Sequence, residues 1–332
     1  MITVGEEIDV IAWRELMSTS STANFFQSKE CFDFYSSLSF FEAFALGVTE
    51  DGALKGVIVG YVQREGGRLK RFFSKRAIIT GGALLADDIS EDALSQLLIY
   101  CRKRLSRKAI YIEFRNFNDY GIHKKVFLKS GFSYVPHLNF HVDCSSEDVV
   151  NRNIGKSTRR NIKTSLREGV GYLENPTLDD VRSFYSILNK LYVTKVKTSL
   201  LPFSFFEELY KHSFARFHLV VLNDKIIGGA VNVVSEKGVM YEWFTCGLNG
   251  CYKHIYPSTL AIYQAIIEAF HAGCYCYDMM GAGKPDEKYG VRDFKAQFGG
   301  KLVEHGRFLC VLNPVLYNIC LLYTSPSPRD GL

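Results

Sequence analysis

The chain has 332 residues, of which 47% are hydrophobic and 23% are charged. This composition is too apolar for a disordered chain, and the length suits about two domains. Forty Lys and Arg residues against 35 Asp and Glu give a net charge of +5, which permits a polyanionic partner without requiring one. Nine cysteines, several within apolar segments, indicate reduced thiols. Because no apolar run has transmembrane length and no signal peptide is visible, we expect a cytoplasmic protein.

The first half of the chain predicts alternating helices and strands. A helix is expected over 9–17, and two apolar runs on either side of Glu50-Asp51-Gly52 predict a β-hairpin over 41–63. Helical apolar spacing after Ser90 predicts a helix that this serine caps. The other elements predicted in this half are a strand at 77–85, the capped helix at 90–105, a strand at 109–114, a helix at 124–130 and a strand at 132–142.

The second half predicts the same order. Apolar residues recur at helical spacing over 181–192, and Asn223-Asp224-Lys225 separates two strands of a hairpin. A helix is expected to begin at Pro257, because proline suits the first helical turn. The elements predicted here are strands at 217–222, 226–234, 239–246, 275–279 and 302–312, and helices at 181–192, 257–271 and 291–298.

The repeated order predicts a mixed α/β (α+β) fold of two tandem domains, each a mixed sheet flanked by helices. The polar segment from Asp143 to Glu147 marks the boundary, so the domains are expected at 1–146 and 147–319. Residues 320–332 resemble a translated sequencing adapter and are expected to be a non-native tail.

Several short motifs resemble those of one family. In order they are Phe-Gln-Ser at 26–28, Ser-Gly-Phe at 130–132, Arg-Arg-Asn-Ile at 159–162 with Glu-Gly-Val at 168–170, Tyr-Asp-Met-Met-Gly at 277–281, and Tyr-Gly-Val-Arg-Asp-Phe-Lys-Ala-Gln-Phe-Gly-Gly at 289–300. Together they resemble the Fem-type peptidyltransferases of the GNAT acyltransferase superfamily. The resemblance covers about residues 10 to 318 and implies tandem GNAT-like domains, the second of which is the active one.

The resemblance also implies an activity. Fem-type enzymes transfer an amino acid from aminoacyl-tRNA to an amine of a peptidoglycan precursor, and they need no further cofactor. The Lys of their Phe-Lys motif is assigned near the reacting ester, which points to Lys295, with Phe294 packed beside it. A cation suits that place because an oxyanion develops there. The alternative is that Lys295 is a surface lysine on a short helix.

Residues at the end of one predicted strand form a second group of candidates. Asp278 lies where strands deliver functional side chains, and Gly281 and Gly283 permit close approach of a ligand to the backbone. Asp278 would position an amine or accept a proton, unless it only caps the turn. Tyr241 and Tyr289 are further candidates for substrate binding, with core or rim aromatic residues as the alternative.

A basic stripe opens the second half. Lys156, Arg160, Lys163 and Arg167 are spaced four, three and four apart, so a helix would place them on one face with Arg159 adjacent. Such a stripe favours binding of phosphate groups, either of tRNA or of a nucleotide-linked precursor. The alternative is an ordinary solvated face.

Other sequence features test rival functions. The stretch 250–257 lacks the spaced glycines that hold acyl-CoA in GNAT enzymes, so acyl-CoA is a less favoured donor. Positions near Asp33 and Leu201 do not match the Fem-type residues that grip the precursor's nucleotide. Alternation along a strand would bury both thiols of Cys274-Tyr-Cys276, so no metal site is expected. The hypotheses left open are a Fem-like aminoacyltransferase, an acyltransferase using acyl-CoA or an acyl carrier, and a non-catalytic module that binds a polyanion.

Overall fold

The structure is a computed structural model that describes residues 1–63 and 75–324. The chain divides into two compact units, one formed by residues 1–137 together with those from 304 onward, the other by residues 138–303. These limits differ from the expected 1–146 and 147–319, because the chain returns to the first unit near its end. The expected tail at 320–332 lies partly outside the described residues.

The first unit contains a mixed sheet covered by helices. Its strands are β1 (Ile2–Gly5), β2 (Phe41–Glu50), β3 (Ala53–Gln63), β4 (Arg76–Gly81), β5 (Leu84–Leu85), β6 (Tyr111–Asn116), β7 (Ser133–Val135) and β15 (Arg307–Val311). Its helices are α1 (Val10–Thr19), α2 (Lys29–Ser37), α3 (Glu91–Leu105), α4 (Lys124–Lys129) and α11 (Pro314–Thr324). In the described residues the strand order is β1-β2-β3-β4-β6-β15-β7, and β5 pairs with β3.

The second unit repeats this plan. Its strands are β8 (Leu138–Asp143), β9 (Gly171–Leu173), β10 (Ala215–Leu222), β11 (Lys225–Ser235), β12 (Val239–Gly247), β13 (Cys276–Asp278) and β14 (Lys301–Glu304), in the order β14-β8-β13-β12-β11-β10-β9. Its helices are α5 (Glu147–Asn153), α6 (Lys156–Arg167), α7 (Leu178–Leu191), α8 (Phe203–Tyr210), α9 (Pro257–His271) and α10 (Gly290–Ala296), with a π-helical turn at Tyr192–Val196.

Within the described residues, each unit has the predicted antiparallel front followed by a parallel pair. The hairpins β2-β3 and β10-β11 form as expected, with Asp51, Gly52, Asn223 and Asp224 at positive φ in their turns. A helix then crosses over to a parallel neighbour, so that β4 pairs with β6 after α3 and β12 pairs with β13 after α9. The fold class predicted from the sequence is confirmed.

The continuous strands expected at 132–142 and 302–312 are wrong. Pro136 lacks an amide donor, and Gly306 adopts φ 62°, so each run breaks into two strands. The halves join different sheets: β7 and β15 pair in the first, whereas β8 and β14 lie in the second. An ion pair of 2.7 Å between Arg307 and Glu113 fastens β15 to β6.

Helix α9 provides the main cover of the second sheet. Its buried residues include Leu260, Ala261, Ile262, Ala265 and Ile266, which pack in two apolar clusters against strands of that sheet. Helices α2 and α8, which the sequence analysis did not predict, bury aromatic side chains in their own units. Within residues 1–63 and 75–324, no helix combines the length and apolar character needed to cross a membrane.

Candidate active site

The candidate site begins where two parallel strands diverge. Strands β12 and β13 pair only over Val239–Tyr241 and Cys276–Asp278, after which β12 continues to Gly247 and the chain leaves β13. We call this divergence, together with the loop 279–283 and the side chain of Lys295, the fork. Functional residues are commonly found where parallel strands end, because the chain there turns away from the sheet.

Lys295 lies inside the fork and not at the surface. Its side chain on α10 is only 8% exposed. The ammonium donates hydrogen bonds to the carbonyl oxygens of Met279, Met280 (2.6 Å) and Gly281 (3.3 Å). It also lies 3.5 Å from Oε1 of Glu242, which is itself buried. The surface-lysine alternative is therefore wrong, and the fork holds a buried cation beside backbone carbonyls and one carboxylate.

Asp278 shapes the loop from the opposite side. It is 2% exposed, and its Oδ1 accepts hydrogen bonds from the Met280 amide and from Nδ2 of Asn139, both at 2.7 Å. The Nε2 atom of His141 lies 3.3 Å from Oδ2. Met280 has a positive φ of 43°, which a side-chain-bearing residue seldom adopts. Asp278 and Lys295 hold this strained residue by its amide and its carbonyl, so the geometry of Asp278 is that of a turn cap.

The two candidate glycines lie in the same loop. Gly281 has φ 34° and Gly283 has φ 75°. The ring of Tyr289 packs so closely on Gly283 that a Cβ there would come within 2.8 Å of it. Arg292 donates hydrogen bonds to the carbonyls of Ala282 (2.9 Å) and Lys284, which fixes the loop to α10. The structure thus packs the Tyr289 ring against the loop that contains Gly281 and Gly283.

We expect Gly283→Ala to displace the Tyr289 ring and to destabilise the fork. An alanine would need the left-handed region, at a cost of about 1 kcal/mol, and would clash with the ring. Gly290→Ala is the matched control, because a Cβ at Gly290 meets nothing within 4 Å. Thermal unfolding and the environment of Tyr289 in aromatic NMR spectra report the difference. An alanine at 283 that melts like the control would contradict the packing described here.

Two other candidates serve the core. Phe294 packs against the apolar cluster around α9 and makes an edge-to-face contact of 5.5 Å with Phe298. Tyr241 is 4% exposed and lies within β12, where it pairs with Asp278.

The basic stripe does form one face of a helix. Helix α6 buries Thr158, Ile162 and Ser165, and the basic side chains lie opposite this face or beside it. Four of the five basic side chains are exposed, and that of Arg159 is half-buried. The exposed ones are Lys156, Arg160, Lys163 and Arg167.

Both ends of α6 are attached to elements near the fork. At its start, Gly155 donates its amide to the carbonyl of Gln297 at 2.9 Å, and Gln297 directly follows α10. Near its end, Ser165 Oγ accepts a hydrogen bond from the amide of Tyr256 at 3.1 Å. The stripe therefore extends from the helix that carries Lys295 to the N-terminus of α9.

The N-terminus of α9 is occupied by the protein's own side chains. The Tyr256 amide is bonded to Ser165, and the Ser258 amide donates to Oδ1 of Asn249 at 3.4 Å. Pro257 has no amide proton to offer. Two of the amides that could bind a pyrophosphate at this helix N-terminus are therefore already engaged.

Several polar partners of the fork were not predicted from the sequence. Glu242, Asn139 and His141 come from strands distant in sequence, and only the fold brings them to Lys295 and Asp278. Arg292 carried a usable signal, since it lies one helical turn before Lys295 within the motif 289–300.

The cysteines of the Cys274-Tyr-Cys276 segment lie at the start of β13 and just before it. Cys274 and Cys276 are both buried, as expected from strand alternation, and burial raises the pKa of each thiol. In residues 1–63 and 75–324, no cluster of three or more His, Cys, Asp or Glu side chains could hold a metal ion.

A family model matches the part of the chain that contains this site. A model described as the FemAB family matches residues 207–324, which include β12, β13, the fork and α10. No curated protein sequence matches the chain.

Solved structures share the fold over almost the whole chain. FemX aligns with a TM-score of 0.70 at 14% identity, covering 96% of this chain and 99% of that chain. A tandem GNAT protein from the clavulanic acid biosynthesis pathway gives 0.58 at 11% identity, with coverage of 95% and 99%. L-PGS from Bacillus licheniformis gives 0.57 at 12% identity, with coverage of 97% and 99%. The chain thus carries a FemAB family match over residues 207–324 and shares its fold with FemX and with a tandem GNAT protein.

Proposed function

We propose that the protein transfers an aminoacyl group from aminoacyl-tRNA to an amine of a peptidoglycan precursor or a similar acceptor. The observation that carries this proposal is the coincidence of the FemAB signature with the fork, where a buried lysine faces a strained loop. The similarity to FemX in fold supports the same reaction class.

The reaction needs a cation where negative charge develops. The acceptor nitrogen attacks the ester carbonyl carbon, the C–N bond forms, and the bond to the ribose oxygen breaks. The amine gives up a proton, and the departing ribose oxygen takes one. Lys295 would stabilise the intermediate oxyanion, since a charged donor in a dry site is far stronger than in water. Its ammonium now contacts three carbonyl oxygens, and the ester oxygen would replace one of them.

The basic face of α6 supports a tRNA donor. Lys156, Arg160, Lys163 and Arg167 are exposed along one helix face. Such a face suits the phosphates of a polynucleotide. The helix begins beside the residue that follows α10, so a bound acceptor stem would have its terminus near the fork.

We expect Arg160→Glu combined with Lys163→Glu to weaken tRNA binding and to flatten its salt dependence. If both side chains contact phosphates, the slope of log K against log salt should fall by about two. Lys190→Glu with Lys225→Glu is the matched control, because both lysines are exposed elsewhere in the same unit and the change in charge is equal. Filter binding over a series of salt concentrations gives both slopes. Equal binding by the two variants would reduce the stripe to a solvated face.

Acyl-CoA is the second candidate donor. The tandem GNAT fold permits it, and a protein of that fold from the clavulanic acid pathway is among the similar structures. Against it stand the occupied amides of Tyr256 and Ser258 and the proline between them.

An assay that compares the two donors in separate reactions tests the proposal. Each reaction contains the protein and a nucleotide-linked peptidoglycan precursor. One reaction receives total tRNA charged with labelled amino acids, and the other receives labelled acetyl-CoA. We expect a labelled precursor with charged tRNA and none with acetyl-CoA. Transfer from acetyl-CoA alone would overturn the proposal in favour of the second candidate.

A further inference from the structure

A chain of buried polar side chains leads from the fork to the solvent-facing side of α9. Its inner members are almost completely buried: Tyr277 and Asn232 have no exposed surface, and His218 is 2% exposed. It begins at Glu242, the ion-pair partner of Lys295, and ends at Glu268, which is 39% exposed. Buried polar groups of this kind are costly unless all of them are paired.

Consecutive members lie within hydrogen-bond distance. The Tyr277 hydroxyl is 3.3 Å from Oε2 of Glu242 and 2.9 Å from Oδ1 of Asn232. Nδ2 of Asn232 is 2.8 Å from Nδ1 of His218, and Nε2 of His218 is 2.7 Å from Oε2 of Glu268. Four contacts thus connect Glu242 to Glu268.

The Tyr277 hydroxyl has one proton but faces two acceptors. Burial and the Glu242 carboxylate hold the pKa of Tyr277 well above its usual value, so the hydroxyl keeps that proton. It can donate either to Asn232 or to Glu242, and never to both at once. The side chain that loses this donor must find another partner.

Two complete arrangements follow from this limit. In the first, Tyr277 donates to Asn232, Asn232 donates to Nδ1 of His218, and a neutral His218 donates through Nε2 to Glu268. In the second, the amide of Asn232 is turned over, Tyr277 donates to Glu242, and His218 donates through both ring nitrogens and carries a positive charge. The amide nitrogen and oxygen of Asn232 have nearly the same size, so the turned amide fits the same space.

We propose that this chain couples the proton carried by His218 to the ion pair between Glu242 and Lys295. His218, Asn232 and Tyr277 are then positioning residues for Lys295. When His218 loses a proton, the Tyr277 hydroxyl turns away from Glu242, and the carboxylate draws more strongly on the ammonium. The coupling is a property of the free protein. Its effect on the rate of transfer rests on the proposed function.

Charged groups from two elements act at the outer end of the chain. The hydrogen bond from His218 is the largest cause that lowers the pKa of Glu268, and Arg216 on β10 and His271 on α9 act in the same direction. Arg216 lies 3.5 Å from Oε1 of Glu268. At the inner end of the chain of contacts, among the described residues, the carboxylate of Glu242 lies within 4 Å of the Lys295 ammonium.

NMR of the full chain tests the coupling without any substrate. The protein carries ε-¹³C lysine and ε1-¹³C histidine, and the Lys295→Arg and His218→Gln variants assign the two signals. We expect the Lys295 signal to shift with pH at the midpoint at which the His218 ring titrates. Tyr277→Phe should abolish that shift in Lys295 while His218 still titrates.

His271→Gln is the matched control, because His271 acts on Glu268 but lies outside the chain of contacts. In this variant Lys295 should still follow His218. The proposal is overturned if Lys295 in the unaltered protein does not follow His218, or if it still does so in Tyr277→Phe. Since the first titration is recorded on the unaltered protein, a Tyr277→Phe protein that fails to fold leaves the proposal decidable. Absence of aminoacyl transfer would refute the proposed function alone, because the spectra do not depend on it.

Discussion

Replacing Lys295 with Met is expected to destabilise the second unit strongly. The substitution keeps most of the apolar stem of the side chain but leaves the Glu242 carboxylate without its ion-pair partner in a site where Glu242 is 7% exposed. It also removes the donor to the carbonyls of Met279, Met280 and Gly281. Breaking one partner of a buried ion pair costs about 3–5 kcal/mol. Denaturant unfolding followed by circular dichroism measures the change.

Two further variants test whether the loss of stability comes from the uncompensated charge of Glu242. Lys163→Met removes an exposed lysine and should unfold like the unaltered protein. Adding Glu242→Gln to Lys295→Met should recover part of the loss, because the uncompensated charge is then gone. A Lys295→Met protein with unchanged stability would contradict the buried ion pair.

Asp278→Ala is expected to be the second most damaging change. It deletes the acceptor for the Met280 amide and for Asn139, both at 2.7 Å, in a side chain that is 2% exposed. Loss of hydrogen bonds to a buried charged group costs roughly 1.5–3 kcal/mol each, and Met280 would leave its strained conformation.

Asp278→Asn removes the negative charge of this side chain but keeps an oxygen that can accept hydrogen bonds in the turn. The asparagine oxygen can still accept from the Met280 amide, so most of the stability should remain. If Asp278 only caps the turn, transfer should also remain. If Asp278 accepts a proton during transfer, the asparagine variant should be stable but inactive. Unfolding curves and transfer assays on both variants give the answer, and an alanine variant as stable as the asparagine variant would contradict the cap.

Local sequence signals predicted most of the secondary structure. The hairpin over 41–63 and the helix from Pro257 depend on turn residues and apolar spacing, which act within a few residues. The basic face of α6 followed from helical periodicity in the same way. The break between β7 and β8 had a local signal, because proline lacks an amide donor. The pairing of β15 with β6 had none, since it joins residues almost 200 positions apart.

Only the part of the fork that is local in sequence was predicted. The motifs at 277–281 and 289–300 lie close in sequence, and the lysine of the second does reach the carbonyls of the first. The burial of Lys295 was not predicted, because it depends on Glu242 from another strand. The chain of contacts from Glu242 to His218 likewise depends on the register of four strands, in which Asn232 faces Glu242. Each of these side chains alone is an ordinary polar residue in an apolar strand.

Single-turnover transfer from charged tRNA by the unaltered protein and by Lys295→Met tests the central claim most directly. Donor affinity is measured beside it, at a temperature where both proteins are folded, with Lys225→Met as the control, because Lys225 is exposed and lies outside the basic stripe. Loss of a charged donor to the oxyanion should slow transfer by roughly a hundredfold to a thousandfold. The account predicts that slowing with donor binding nearly unchanged. A folded Lys295→Met protein that transfers at the rate of the control would contradict it.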